Sequence, residues 1–504
     1  MRFQNKKIIF LISTLTIIAS GYAAAQPLSE PQTLSLAGRV DYLAIPMPNN
    51  QPDLGIAGLH LLHPLDRRKI FYGGFGIYSA MTGQYNGFFS LGIDLGLQHQ
   101  FARYVGVDAG IYTGASGGHG LGGAQIGDGP LMIAHAGLIF YIKKLQFNLA
   151  DSYTQFFEGE KISGQALWFA LTVPVNFCSF EKWDDVPTSF RAARSPTYVG
   201  IPVSLYIPQD AYFADGSRIT ETMVVTGAEL GHQIREALFY YLGVENAVSG
   251  TTIGFSVVKG GVELINLPAL PKPFFTDFRL GILSAGGNAV NSGGGFSGEA
   301  QGGIGVFVTK KISLRWLAGY LSAFQKRYHD VTTSLAIDYH FAPLTLPGDE
   351  LISRDDIHPD YFRIRLDNQT YFLNQTFSGA SSSINSFNVK IDDVITTHWF
   401  LTGQGSFSYS GIPGCYATGL LGGGYQIPIK ARWLTYVSAM AGGGSGGATS
   451  LGQGVLLQGS LGALFHATPN VDTVIAISKA GVVHSSFAPW VLDAGLSFNV
   501  NFLS

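Results

Sequence analysis

The chain is short of charge. Only 13% of its 504 residues are Asp, Glu, Lys or Arg, where roughly 25% is usual for a soluble domain. Cysteine is almost missing, at 2 residues, which excludes a disulfide-stapled scaffold. There is no basic excess: 31 Lys and Arg stand against 34 Asp and Glu, for a formal charge of −3. A nucleic-acid partner, which needs a basic face, is therefore not expected. Apolar runs of about 20 residues are absent beyond the N-terminus, so helical membrane spans are excluded there. Disorder is excluded as well, because it goes with few aromatics and high net charge, and aromatics here make up 13%. What is plentiful is glycine, 65 residues in all, almost twice the usual ~7%. A glycine- and aromatic-rich, charge-poor β protein remains.

Arg2, Lys6 and Lys7 precede a mostly apolar stretch from Ile8 to Ala19, and Ala23-Ala24-Ala25 follow before Gln26. This is the order of an export signal: basic region, short apolar region, small-residue cleavage site. Residues 1–25 are read as a signal peptide, and the mature chain as exported.

The rest reads as one domain-sized unit used three times, from about Leu34 to Phe177, Tyr198 to Phe341 and Tyr361 to Phe502. Each copy carries a glycine-rich stretch at a similar place: TGASGGHGLGGAQIGDG from Thr113, SAGGNAVNSGGGFSG from Ser284 and AGGGSGGATSLGQG from Ala441. Each ends alike, on FALTVPVNF, SLAIDYHF and AGLSFNVNF. A period this long exceeds the 20–50 residues of solenoid repeats, so triplication of a small domain is the simpler account. The expected division is 26–177, 198–341 and 361–504 as units, with 178–197 and 342–360 as linkers.

Each unit predicts about eight strands. In the first they fall near 35–44, 53–63, 69–81, 87–100, 104–113, 130–142, 145–156 and 165–177. Period-two alternation carries the assignment. Phe89, Leu91, Ile93, Leu95 and Leu97 share one face, opposite Ser90, Gly92, Asp94, Gly96 and Gln98. Leu492, Ala494, Leu496, Phe498, Val500 and Phe502 do the same in the last strand. A soluble surface wants roughly 25–35% charged residues, and the polar face here is mostly Gly, Ala, Ser, Asn and Gln. Such a face suits the crowded inside of a barrel. The apolar face then meets lipid, and strands of about ten residues are long enough to cross a bilayer when tilted. Closure satisfies the backbone groups that lipid cannot.

With its export signal, alternating strands and terminal AGLSFNVNF, the chain resembles bacterial outer-membrane β-barrel proteins. The resemblance covers nearly all the mature chain and is architectural. It implies an all-β transmembrane antiparallel barrel fold, residence in the outer membrane of a Gram-negative cell, a lipid bilayer as surroundings, and insertion by the barrel-assembly machinery. One departure is that Leu503 and Ser504 follow Phe502, so the closing aromatic is not terminal. Both strand ends of an even barrel lie on the periplasmic side. That puts Lys143-Lys144-Leu145 and Lys310-Lys311-Ile312 in periplasmic turns and the glycine-rich stretches in extracellular loops. The strand-end aromatics Phe71, Tyr72, Trp168, Trp316, Trp399 and Trp433 suit interfacial belts, and core packing would use the same residues.

Two closures are open: three narrow eight-stranded barrels, or one 24-stranded barrel with a wide lumen. The joins favour three. They are far longer than a hairpin turn and rich in charge, with Glu181, Lys182, Asp184, Asp185, Arg191 and Arg194 in one, and Asp349, Glu350, Arg354, Asp355 and Asp356 in the other.

Chemistry-bearing residues are few. Asp94, Asp108, His135, Arg279, Glu299, Arg315, Asp338, His340 and Asp493 are predicted to face a lumen as polar networks, since buried charge must be paired or solvated. Selectivity residues of a channel are the rival reading, which their sparseness disfavours. Cys178 and Cys415 fall on opposite sides of the membrane, so no disulfide joins them. The run Arg354-Asp355-Asp356-Ile357-His358-Pro359-Asp360 lacks a recognised ligand spacing. Ser116 with His119, and His484 with Ser485 and Ser486, are sequence neighbours rather than triads. No catalytic, metal or cofactor site is expected. The role expected is structural or surface-interacting, with rivals in a pore for small polar solutes and a secreted soluble triple β-domain binder.

Overall fold

The computed structural model describes residues 32–504 apart from 67, 86, 120–124, 144, 158–161, 181–182, 250–251, 253, 266–269, 288–289, 326–327, 374–381, 412–415, 447–453, 469 and 484. The export signal, Lys144, Glu181, Lys182, Cys415 and His484 therefore lie outside the described residues.

Among the described residues, twenty-six strands follow one another. The first eight are β1 (Gln32–Ile45), β2 (Leu54–Pro64), β3 (Phe71–Thr82), β4 (Phe89–Ala102), β5 (Val105–His119), β6 (Gln125–Ile142), β7 (Leu145–Phe156) and β8 (Ser163–Ser179). Each pairs antiparallel with the next, and β8 returns to β1 from Gln32↔Ser179 to Leu43↔Trp168, which closes the ring. After β9 (Ser189–Arg194) comes a second ring: β10 (Thr197–Ala211), β11 (Met223–Arg235), β12 (Leu238–Ser249), β13 (Ser256–Ile265), β14 (Phe274–Gly286), β15 (Phe296–Phe307), β16 (Ile312–Ala323) and β17 (Tyr328–Phe341). It closes where β17 pairs with β10. After β18 (Leu344–Ser353) comes a third: β19 (Pro359–Phe372), β20 (Ser383–Val394), β21 (Trp399–Ser410), β22 (Tyr416–Lys430), β23 (Trp433–Gly446), β24 (Gly454–Thr468), β25 (Val471–Val482) and β26 (Trp490–Leu503). There β26 pairs with both β25 and β19. One bridge, Phe502↔Ser179, joins the first and third rings. Closure in eights leaves no 24-stranded lumen among the described strands.

Alternation decides the faces. Along β8, Leu167 and Phe169 are exposed outward, whereas Trp168 between them is buried inside. Along β17, Leu335 and Ile337 are exposed and Ala336 and Asp338 are buried. The rings thus present apolar outsides and polar insides, the reverse of a soluble barrel. The parity corrects two of the belt aromatics. Tyr72 and Trp168 point inward and are buried, while Phe71, Trp316, Trp399 and Trp433 stay exposed outward.

The connections are unequal at the two ends. Two-residue turns link β4 to β5, β11 to β12 and β22 to β23, and Lys143 takes φ 55° in the tight turn between β6 and β7. Most connections at the other end are longer, such as 212–222 between β10 and β11, with 266–273 between β13 and β14 the long connection at the short-turn end.

In the first and third glycine-rich stretches the described residues at either end continue the strands, whereas in the second, 287–295 connects β14 to β15. Val105–His119 runs six residues beyond the expected end at 113, Gln125–Ile142 starts five before the expected 130, and Ser116↔Gly129 and Gly118↔Ile126 pair across them. Tyr416↔Gly446 extends the third ring in the same way. Small side chains leave the ladder room to continue.

The two joins also take structure. Pairing of β9 with β18 puts Phe190 opposite Ile352. Beneath them Cys178, Phe180, Val186, Ala192, Leu344, Ile352, Ile357 and Leu503 form a small core. The two linkers therefore fold together as one cap, at the end where the short turns lie. Leu503 is fully buried there, and Ser504 exchanges backbone hydrogen bonds with His358. The departure from a terminal aromatic has a packing role.

Candidate functional site

The insides of the three rings are the places where charge collects. In the first, Asp108 is the centre. It accepts from Arg39 Nη2 at 3.1 Å, Tyr72 OH at 3.0 Å and Asn148 Nδ2 at 2.7 Å, and His135 Nε2 lies 3.3 Å away. His135 stacks on Trp168 with centroids 4.2 Å apart. One layer along, His60 sits between Asp94 (2.8 Å) and Asp41 (3.2 Å). Asp41 also accepts from Tyr78 OH and Trp168 Nε1.

The second ring holds the densest network. Arg279 reaches Glu229 and Glu263, each at 2.6 Å. Arg315 reaches Glu229 at 2.8 Å, Glu263 at 2.9 Å, Asp338 at 2.9 Å and Asp277 at 3.3 Å. Tyr198 OH donates to Glu263 at 2.6 Å, and both guanidiniums lie over aromatic faces, Arg279 on Tyr241 and Arg315 on Tyr198. Beside this cluster Lys259 pairs with Glu245 at 2.7 Å, and Tyr241 OH donates to Glu299 at 2.6 Å.

In the third ring Arg365 donates to Asp392 and to Tyr436 OH, both at 2.8 Å. Lys390 reaches Asp493 at 3.2 Å and Asp367 at 3.6 Å.

An apolar plug lies at the long-connection end of each inside. Leu43, Ile45, Leu54, Tyr78 and Phe88 fill the first, Tyr206, Met223, Phe255 and Tyr328 the second, and Tyr371, Tyr416, Leu456 and Phe487 the third. Each plug takes a residue from a connection: Phe88, Phe255 and Phe487. Tyrosines straddle the two layers, with the ring in the plug and the hydroxyl on a carboxylate, as Tyr78 does on Asp41 and Tyr206 on Glu245. A narrow barrel filled in this way has side chains where a channel would run.

Of the nine residues expected to face a lumen, Asp94, Asp108, His135, Arg279, Glu299, Arg315, Asp338 and Asp493 are buried on the inner parity. His340 is half-buried, on Ser313 Oγ at 2.8 Å and against Tyr198 and Phe307. The structure brings Arg279, Arg315 and Asp338 into one network, and Asp108 with His135 into another. Glu299 and Asp493 each meet a lysine. Sequence reasoning missed Arg39, Asp41 and His60 in the first ring, and Glu229, Glu263 and Asp277 in the second. In the third it missed Arg365, Lys390 and Asp392. The signal was present for most of them, since Asp41, His60, Glu229, Glu263, Arg365 and Lys390 each sit between apolar neighbours, as Lys390 does between Val389 and Ile391.

Ser116 donates to Gly129 O and is buried in the ladder, while the side chain of His119 lies outside the described residues. Ser485 Oγ accepts from the Phe487 amide as a turn contact. Cys178 is a free, buried thiol in the linker core. Among the described residues no group of three or more His, Cys, Asp or Glu is arranged to hold a metal ion.

No protein-family model matches the chain, and no curated protein matches it. Its structural neighbours include bacterial outer-membrane β-barrel proteins. The siderophore receptor PirA of Acinetobacter baumannii aligns at 10% identity over 94% of this chain and 81% of its own, with a TM-score of 0.29. OprD of Pseudomonas aeruginosa aligns at 12% identity over 95% of this chain and 97% of its own, with a TM-score of 0.23. A de novo designed transmembrane β-barrel aligns at 11% identity over 27% of this chain and 94% of its own, with a TM-score of 0.20. Superpositions this loose carry no argument about role.

Proposed function

We propose that the protein is an outer-membrane integral scaffold. Three homologous eight-stranded barrels span the bilayer, carry the long connections outside and hold the linker cap in the periplasm. Its work is structural or surface-directed, and it is neither an enzyme nor an open pore. The observation that carries this reading is the double filling of each barrel, with a paired-charge layer and an apolar plug stacked along one axis. Apolar outer faces, with Leu280 and Trp316 more than half exposed, support lipid as the surrounding solvent. The export signal and closed antiparallel strands support insertion by the barrel-assembly machinery.

The test is single-channel recording of the refolded mature protein in a planar bilayer, with insertion checked independently by protease protection. Insertion without steady conductance is the expected result. A large stable conductance would overturn the scaffold reading in favour of a pore for small polar solutes. A protein that stays water-soluble and never inserts would return the soluble triple-domain reading.

A further inference from the structure

The contacts between the barrels follow one rule. Number the strands one to eight within each barrel. Strands two and three of the third barrel (β20 and β21) lie on strands five and six of the first (β5 and β6). Strands two and three of the second (β11 and β12) lie on strands five and six of the third (β23 and β24). Strand three of the first (β3) lies on strands five and six of the second (β14 and β15). First onto second, second onto third, third onto first: the same face meets the same unlike face three times, and the circuit closes.

The surfaces match this role. At the first junction the outward side chains are small. Ser79 Oγ donates to Ser284 Oγ at 2.6 Å, and Ser284 Oγ reaches the Ala80 carbonyl. Gly294 lies so close that a Cβ there would stand 2.5 Å from Thr82 Cα. At the second junction Gly443 faces Val248, where a Cβ would stand 3.2 Å from Val248 Cγ1. The third junction is apolar: Leu91, Ile93 and Ala115 pack with Phe387, Val389 and Tyr409. In lipid, where apolar surface gains nothing by leaving solvent, small residues that let backbones approach supply the packing. At the linker end, the closing aromatics of the repeats meet. Phe502 stacks with Phe177 at 5.6 Å and tilts onto Phe341 at 6.4 Å.

We infer that the three barrels are held head-to-tail about a pseudo-threefold axis, and that the partner for which each barrel's strand-two/three face is built is the strand-five/six face of a sister barrel. Of the glycine-rich stretches, Ala115, Gly294 and Gly443 are the residues seated in that interface. A head-to-tail interface forms either a ring or an open filament. Here three copies close the ring within one chain and use every face, so the chain is a covalent trimer that needs no second copy. The inference does not depend on whether the barrels conduct.

The test is disulfide trapping in the full-length protein in membranes, with Cys178→Ser and Cys415→Ser as background. Ser79→Cys with Ser284→Cys should crosslink across the first junction, and Val248→Cys with Gly443→Cys across the second, read as linked peptides by mass spectrometry. Ser79→Cys with Leu280→Cys, where Leu280 faces outward on the same strand as Ser284, should not. Adding Gly294→Val should cut the first crosslink at least several-fold and leave the second unchanged. Heat-modifiable mobility on gels confirms folded barrels in each variant. Folded barrels without either crosslink, or crosslinking no better than the Leu280 control, would overturn the arrangement.

Discussion

Replacing Arg315 by Met tests whether the barrel interiors are held by paired charge. The side chain is 2% exposed, and its two terminal nitrogens serve Glu229, Glu263, Asp277 and Asp338 between 2.8 and 3.3 Å. Methionine keeps an unbranched apolar stem without the charged head and leaves Arg279 as the one guanidinium in the cluster facing four carboxylates. Removing one partner of a buried ion pair costs about 3–5 kcal/mol, because the other is left without compensation. That is roughly two to three and a half powers of ten in the folding equilibrium. The assay is urea unfolding of the vesicle-inserted protein, followed by loss of heat-modifiable mobility. Leu335→Ala is the control, since Leu335 pairs with Trp316 next to Arg315 but is 56% exposed on the outer face. Adding Asp338→Asn to the Arg315→Met variant removes the carboxylate that Arg315 reaches at 2.9 Å and that Arg279 does not pair with. It should recover a coupling energy of about 0.5–3 kcal/mol. An unchanged midpoint for Arg315→Met, or a Leu335→Ala loss as large, would refute the reasoning.

The other predictions use the outside and the cap. Leu280 is 63% exposed near the middle of β14, so Leu280→Arg should cost about 2–4 kcal/mol if lipid surrounds it. A change within about 0.5 kcal/mol would indicate a water-facing surface; the same urea midpoints read the difference. Leu503 is fully buried in the linker core. Leu503→Ala should therefore loosen the cap by about 2–5 kcal/mol, seen as faster tryptic cleavage at Arg191 and Arg194 while the barrels keep their heat-modifiable mobility. Equal cleavage rates in variant and parent would mean that the C-terminus does not hold the cap.

Much of this architecture is written in period-two alternation. A strand such as Phe89–Ala102 announces both its faces, and low charge on the polar face announces that it is not bathed in water. Trp168 shows how the two readings of a strand-end aromatic, girdle or core, are separated: it stands between Leu167 and Phe169, and parity sends it inside. The glycine-rich stretches misled. Glycine permits a floppy loop, and it equally permits a backbone to lie against a neighbouring backbone. Which of these holds at Gly294 depends on Thr82, more than two hundred residues earlier, so no local window contains the answer. The cap was hidden in the same way, because β9 and β18 are separated by a whole barrel. Charged residues in a linker read as solvated surface until the alternate residues, Phe190 and Ile352, are seen to pair.

Three similar sets of eight strands in one chain create an assembly hazard, since a strand of one repeat can be offered to the ring of another. Backbone pairing alone discriminates poorly between such closures, because every antiparallel ladder offers the same donors and acceptors. The interiors do discriminate. The first ring places a single arginine, Arg39, on Asp108. The second sets two arginines among four carboxylates. The third separates an arginine pair on Asp392 from a lysine between Asp367 and Asp493. A strand carrying Arg315 into the first ring would bring a guanidinium to a layer without Glu229, Glu263, Asp277 or Asp338, and would leave those carboxylates behind. Each such error buries unpaired charge at both places, at several kcal/mol apiece. Buried ion pairs contribute little net stability over a well-packed apolar interior. Their effect in a chain with three eight-stranded rings is to make wrong closures much worse than right ones, which an apolar filling shared by all three rings would not do.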